Sequence, residues 1–166
     1  HVRNGPNPFY PPTWRYHVYD GDGMLHAAYF DRGKVSYRNR WIRTTALAEE
    51  RAAGHSLWRG LKEPARPDTP DEPLKNNSNT DVKYHAGKLL TMFYRRGVPY
   101  HVDLWTLETI GPATYDGAIR KISAHSRPDE RTGELLWFDY GIDAPYMEYG
   151  IIGPDGKSRH LSLIHI

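Results

Sequence analysis

A metal site in this 166-residue sequence would have to use histidine, aspartate or glutamate, because there is no cysteine. His125 is the most informative candidate. It ends the short apolar run that begins at Ile122 and precedes a turn-rich loop and a strongly β-forming segment. An alternating strand over that run would point the imidazole into a core or toward an axis of the fold. Taken alone, such a histidine is more often structural, although neutral imidazole also binds iron, copper or zinc well.

The other histidines make a weaker case for a metal site. His17 and His26 flank a glycine-rich turn and would form a ligand pair if they faced each other across adjacent strands. We expect them instead to be ordinary strand residues. His85, His101 and His160 lie next to predicted turns or strand ends, where we expect surface or supporting roles.

The Asp20-Gly21-Asp22-Gly23 sequence resembles part of a calcium-binding loop. Such a loop needs further oxygen ligands and a downstream bidentate glutamate. Met24, Leu25 and Ala27 occupy the following positions, so the sequence predicts a tight turn. The sequence also contains no glycine-rich phosphate loop and no serine-hydrolase or zinc-protease motif.

Composition excludes several classes of protein. Hydrophobic residues make up 39% and charged residues 25% of the chain, which is typical of a globular domain. The net charge is only +2 and the basic residues are dispersed, so nucleic acid is not an expected partner. No apolar run approaches the roughly 20 residues that span a membrane, although peripheral membrane contact of a larger parent protein is compatible with this. The lack of cysteine is compatible with a reducing cytosol, and we expect a cytoplasmic protein.

Strand-forming segments separated by Gly and Pro turns predict an all-β protein. Residues 14–19, 24–30 and 35–43 are predicted to form a β-meander. Further strands are predicted over 80–84, 89–94, 100–104, 113–119, 119–125, 134–140 and 146–152, typical of an antiparallel sandwich, barrel or propeller.

Two segments interrupt this pattern of strands. The spacing of Leu47, Ala48, Ala52 and Leu57 predicts one short helix over 45–58, capped by Thr45. Residues 61–79 are rich in Pro and Asn, and they predict a mobile loop within a single domain.

Several phrases match one family in order and approximate spacing over residues 3–161. They are Asn4-Gly5-Pro6-Asn7-Pro8, Tyr19-Asp20-Gly21-Asp22-Gly23-Met24-Leu25-His26, Tyr37-Arg38-Asn39-Arg40-Trp41-Ile42-Arg43-Thr44, Asn79-Thr80-Asp81-Val82, His85-Ala86-Gly87-Lys88-Leu89-Leu90, Pro99-Tyr100, Leu107-Glu108-Thr109-Ile110-Gly111 and Ser123-Ala124-His125. Together they resemble the carotenoid cleavage oxygenase family.

The resemblance implies a seven-bladed β-propeller, of which residues 1–166 would be the first two to three blades, a single incomplete domain. It also implies a non-haem Fe(II) centre held by four histidines, with His125 as the first. The implied partners are O2 and an apolar carotenoid, apocarotenoid or stilbene-like substrate, whose conjugated C=C bond is cleaved to two carbonyls. The alternative is a non-catalytic propeller that binds a partner protein, with His125 structural.

The sequence departs from the family pattern at three places. Relatives often have a glutamate just before the Pro99-Tyr100 phrase, whereas residues 93–97 contain no acid. Ser126 stands where many relatives have proline. Residues 161–166 do not fit the pattern, and we expect them to be foreign to it. The other three iron ligands would lie downstream of this sequence.

Overall fold

The computed structural model describes residues 1–11, 15–64, 75–94, 97–141 and 144–164. These residues form three antiparallel sheets, each a meander of strands consecutive in the chain. The first contains β1 (Val2–Asn7), β2 (Asp22–Asp31) and β3 (Lys34–Trp41); the second β4 (Asp81–His85), β5 (Lys88–Met92), β6 (Tyr100–Val102) and β7 (Thr109–Pro112); and the third β8 (Arg127–Pro128), β9 (Leu135–Tyr140), β10 (Met147–Ile152) and β11 (Ser158–Ile164). The predicted β-rich architecture is confirmed for the described residues.

The three sheets pack face to face in chain order, and strand β5 is buried on both faces. Because side chains alternate along a strand, Leu89 points into a core shared with Leu25 and Ala27 of the first sheet. Its neighbour Leu90 points into a core shared with Leu135 and other residues of the third sheet. The middle sheet is therefore covered on both sides.

The outer faces of the first and third sheets carry exposed apolar side chains. Strand β9 alternates between buried and less buried residues, with Leu135 and Trp137 inside. Leu136 and Tyr140 lie on its opposite face, and each is about half exposed at 49% and 50%. On the first sheet, Phe30, Val35 and Tyr37 are exposed in the same way.

Helix α1 (Thr45–Ala53) begins at the predicted residue but is shorter than the predicted 45–58. The cap is Thr44 rather than Thr45, since the Thr44 hydroxyl accepts a hydrogen bond from the Leu47 N–H at 3.1 Å. Gly54 ends the helix at φ 81°, a left-handed conformation that glycine adopts readily.

Three predicted strands are wrong where the structure describes them. Of the predicted strand 14–19, residue 14 lies outside the described residues, and Val18–Asp20 form a 3-10 turn. The Asp20 carboxylate accepts from the His17 N–H and the His17 ring accepts from the Tyr19 N–H, which closes this turn. Segment 113–119 is a series of turns, because Tyr115 and Asp116 have positive φ. Segment 119–125 contributes only an isolated bridge between Ile122 and Gly97.

The predicted loop 61–79 contains no helix or strand among its described residues, and its mobility stays a prediction, with 65–74 outside the described part. Its end is buried between the first two sheets: Asn77, Ser78 and Asn79 are at most 4% exposed. The Asn79 amide donates to the backbone oxygen of Gly21 at 2.6 Å.

Lys75 joins this segment to the sheet and the helix through a buried charge cluster. Its ammonium lies 2.6 Å from a carboxylate oxygen of Asp22 on β2 and 2.6 Å from one of Glu50 on α1. The side chains of Asp22 and Glu50 are 5% and 1% exposed. Both carboxylates therefore depend on Lys75 for charge compensation.

A polar cluster lies in the seam between the second and third sheets. His85, at the end of β4, is 3% exposed and forms a 3.0 Å hydrogen bond between Nδ1 and the Tyr115 hydroxyl. His101 packs edge-on against the same Tyr115 ring, with centroids 5.1 Å apart. Burial lowers the pKa of His85 and raises that of Tyr115. Burial, with the nearby Lys88 and His85, lowers the pKa of His101 to about 4.

We predict that Lys75→Met lowers the free energy of unfolding by about 3–5 kcal/mol, because it leaves two buried carboxylates without their cation. Lys83→Met is the matched control. Lys83 contacts Asp81 at a similar 2.7 Å, but the two side chains are 18% and 30% exposed, so its loss should cost less than about 1 kcal/mol. Urea unfolding of both variants measures the difference, and equal losses would contradict a special role for the buried cluster.

The seam also predicts how stability depends on pH. In the unfolded chain His101 takes up a proton near pH 6.5, whereas the native state resists protonation until about pH 4. The stabilisation of the native state by neutral His101 is therefore complete above pH 6.5. As the pH falls toward 4, the free energy of unfolding decreases by an amount on the order of 2 kcal/mol. His101→Phe keeps a ring against Tyr115 but cannot titrate. The melting temperature of this variant should fall less than that of the parent between pH 7 and 5. Parallel curves of melting temperature against pH would show that His101 does not cause the pH dependence.

Candidate functional site

His125 lies in a tight turn, and its imidazole is exposed. The prediction that an alternating strand directs this side chain into a core is therefore wrong for the described residues. The residues around it are buried: Ala124 is 1% and Ser126 is 0% exposed. The structure thus presents one exposed histidine on a backbone whose neighbours are packed into the core between the second and third sheets.

Two serines fix the backbone of this turn to strand β9. The Ser123 N–H donates to the Phe138 backbone oxygen at 2.8 Å, and the Ser126 N–H donates to the Ser123 oxygen at 3.1 Å. The Ser126 hydroxyl accepts a hydrogen bond from the Phe138 N–H at 3.2 Å. The Ser123 hydroxyl accepts one from the His125 N–H at 3.3 Å. The position of His125 is therefore set by buried polar groups on both sides of it.

Four other histidines, His17, His26, His85 and His101, have contacts elsewhere in the described residues. His17 caps the 3-10 turn. A ring nitrogen of His26 lies 2.5 Å from the Tyr37 hydroxyl. His85 is buried in the seam rather than at the surface, and His101 lies beside it. Within the described part of the chain, no three His, Asp or Glu side chains are grouped so that they could hold a metal ion.

Side-chain alternation along the strands could have predicted one member of the seam cluster, His101. His101 lies opposite Leu90 in the β5–β6 ladder, and residues paired across antiparallel strands share one face of the sheet. Leu90 faces the third sheet, so His101 faces it too. The contribution of Tyr115 could not be read from sequence, because it lies in an irregular segment.

Residues 20–23 form neither a tight turn nor a cation-binding loop, since Asp20 ends the 3-10 turn, Gly21 is extended and β2 begins at Asp22. One Asp20 oxygen accepts from the Leu61 N–H at 3.0 Å and the other from His17, while Asp22 accepts from the Phe9 N–H at 3.0 Å. The expected tight turn over 20–23 is therefore wrong, and the carboxylates of Asp20 and Asp22 serve as internal hydrogen-bond acceptors.

A cavity of about 60 Å³ lies between the first sheet, helix α1 and the segment after β5. Its lining combines six aromatic side chains with seven charged ones, among them Asp22, Glu50 and Lys75. The aromatic lining residues are Tyr10, Tyr16, Tyr19, Trp58, Phe93 and Tyr94. Burial, followed by the charges of Asp20 and Asp22, raises the pKa of Tyr16, which therefore stays neutral.

Phe93 and Tyr94 occupy the segment in which the resemblance leads us to expect a glutamate. Their rings are in contact with centroids 4.8 Å apart, and the Tyr94 ring lies 5.6 Å from that of Tyr19. Residues 95 and 96 lie outside the described residues. The described part of this segment thus supplies aromatic surface to the cavity where relatives often have an acid.

Comparison with known proteins gives a consistent result. The family model described as retinal pigment epithelial membrane protein matches residues 1–165. The match includes residues 161–165, so the expectation that the end of the sequence is foreign to the family is wrong for those residues. Isoeugenol monooxygenase of Pseudomonas nitroreducens is 37% identical over 165 residues, which cover 95% of this chain and 34% of that protein. A carotenoid cleavage oxygenase of Mycobacterium tuberculosis is 35% identical over 96% of this chain and 31% of its own length.

Solved structures agree with the sequence matches. The lignostilbene dioxygenase of Pseudomonas brassicacearum superimposes with a TM-score of 0.85 and 34% identity over 98% of this chain and 35% of that one. A mutant of the Synechocystis apocarotenoid oxygenase gives a TM-score of 0.80 at 28% identity, over 98% of this chain and 37% of its own length. The chain thus spans about a third of the length of these relatives. No helix among the described residues is long and apolar enough to cross a membrane. By its sequence phrases, its family match and its structure, the chain belongs to the carotenoid cleavage oxygenase family.

Proposed function

We propose that this chain is part of a non-haem Fe(II) dioxygenase that cleaves a conjugated C=C bond of an apolar substrate with O2. The observation that carries the proposal is the exposed His125, held on a turn of buried serines at the position that the family resemblance assigns to the first iron ligand. Membership of the family supports the type of reaction.

The residues at this turn fit the proposed metal. Imidazole nitrogen suits Fe(II), and the exposed ring is free to meet ligands contributed by strands outside this chain. When bound, the iron would supply the activation of O2. The part of this chain is to hold the His125 imidazole on a turn that is anchored in the core through Ile122 and Ala124.

The open faces of the first and third sheets support a closed propeller as the architecture of the whole protein. The first and third sheets each pack one face on the middle sheet, and their outer faces carry Phe30, Val35 and Tyr37 at one end and Leu136, Tyr140 and Tyr149 at the other. Exposed apolar faces of this kind need further sheets to cover them. In a ring of blades both faces would be buried. We therefore propose that the three sheets are consecutive blades.

The aromatic cavity supports a planar, conjugated substrate. Aromatic walls offer large apolar contact area to such a molecule, and Tyr19 is 53% exposed beside Tyr94. The relatives' names include isoeugenol, lignostilbene and carotenoids. We propose a carotenoid, apocarotenoid or stilbene-like compound as the substrate class. The cytoplasmic location stays a prediction.

We predict that His125→Ala in the whole protein removes most of the bound iron and nearly all activity while the β structure stays intact, because one of four imidazole ligands is lost. Iron content by elemental analysis and far-UV circular dichroism check both parts. His55→Ala is the matched control, since His55 is also exposed but follows helix α1, whereas His125 precedes β8. A His125→Ala protein with normal iron would overturn the ligand assignment.

The alternative is a propeller that binds a partner protein and has no metal. That reading predicts that the rest of the gene lacks three further histidines on separate strands, and that His125→Ala lowers stability without changing iron content. Sequencing the rest of the gene is the first discriminating observation, and the iron measurement is the second.

We predict that the isolated 166-residue chain binds Fe(II) only weakly and is inactive, because a single imidazole is a small part of the ligand set and metal affinity depends on several preorganised ligands. Anaerobic titration with Fe(II) should give no stoichiometric, saturable binding, whereas the whole protein should saturate at one iron per chain. Stoichiometric binding by the isolated chain would show that the site is complete without further residues.

A further inference from the structure

The β8–β9 ladder ends in an unusual way beside His125. The ladder pairs Pro128 with Leu135 and Arg127 with Leu136. Continued in the same register, it would place His125 opposite Phe138. The backbone turns away before that point, so His125 is free of the sheet and its side chain is exposed.

Side-chain and turn groups replace the missing ladder at Phe138. The Phe138 oxygen accepts from the Ser123 N–H at 2.8 Å. The Phe138 N–H donates to the Ser126 hydroxyl at 3.2 Å, where a regular ladder would offer a backbone oxygen. Ser126 is 0% exposed, so water cannot readily take the place of its hydroxyl.

We infer that Ser126 is a positioning residue for the metal centre: its buried hydroxyl completes the backbone hydrogen bonding of β9 and thereby holds the turn that presents His125. The inference rests on the proposed function, since it gives Ser126 a role only if His125 is a metal ligand. Ser126 itself lies behind the turn and acts through the backbone.

The identity of residue 126 matters for this role, because it supplies two hydrogen bonds to the turn. The family resemblance leads us to expect proline at this position. Proline restrains φ through its ring but has neither a hydroxyl nor an N–H. Here the same turn is restrained by two hydrogen bonds of Ser126, one through its N–H to Ser123 and one through its hydroxyl from Phe138. Groups that orient a metal ligand without touching the metal affect metal affinity through the geometry of that ligand.

The test is Ser126→Ala in the whole protein, with Thr132→Ala as the matched control. Thr132 lies on the other side of β8, in the β8–β9 connection, and its hydroxyl also accepts a hydrogen bond from a backbone N–H, that of Glu134 at 3.3 Å, but it is exposed. We expect Ser126→Ala to release Fe(II) to a chelator about tenfold faster than the parent, with faster hydrogen exchange of the Phe138 amide. Thr132→Ala should release Fe(II) at the parental rate.

Melting temperatures with and without iron separate positioning from a general structural role. A positioning role predicts that the stabilisation given by iron is smaller in Ser126→Ala than in the parent. An unchanged stabilisation, an unchanged release rate, or equal effects of the two substitutions would overturn the inference. If His125→Ala loses iron but Ser126→Ala behaves like the parent, only this inference fails. If His125→Ala keeps its iron, the proposed function fails first.

Discussion

The structure depends on the polar segment 75–79, which joins the first two sheets. Its asparagine amides donate to backbone oxygens of Tyr19, Asp20 and Gly21, so the carbonyl groups of the irregular turn before β2 have hydrogen-bond partners. The contact is close at Gly23, where a Cβ atom would lie 2.6 Å from the Ser78 oxygen. Only glycine allows this approach without a backbone shift. The aromatic cavity and the buried ion pairs of Lys75 both rest on this junction.

The second constraint is the double burial of β5. Leu89 and Leu90 differ by one position in sequence and lie in different cores, so a register slip of one residue in this strand would exchange the two faces. Pairing with β4 on one edge and β6 on the other fixes that register. The same strand leads through Phe93 and Tyr94 to Gly97, which bridges Ile122 just before the His125 turn. Sheet packing and site geometry are thus linked through one strand and its continuation.

Local patterns predicted the hairpins and the helix, but not the segments governed by side-chain-to-backbone bonds. The β2–β3 hairpin follows from alternation on both sides of Arg32-Gly33, and both turn residues have positive φ as such a hairpin requires. The 3-10 turn at Val18–Asp20 replaced a predicted strand because His17 and Asp20 cap it. Lys75 forms ion pairs with Glu50 and Asp22, which precede it by 25 and 53 positions in the sequence. No local sequence pattern predicts contacts over such separations.

His125 shows the same limit and what it means for function. Sequence alternation placed it on a strand pointing inward, whereas Ser123 and Ser126 close a turn that points it outward. A ligand directed into the core of its own sheet could meet only residues of the neighbouring sheet. A ligand on an exposed, pinned turn can meet histidines from several distant strands, as a metal shared among blades requires. The exposure that argues against the expected strand is therefore the property that the proposed four-histidine centre needs, and the buried serines supply the rigidity that exposure alone would lack.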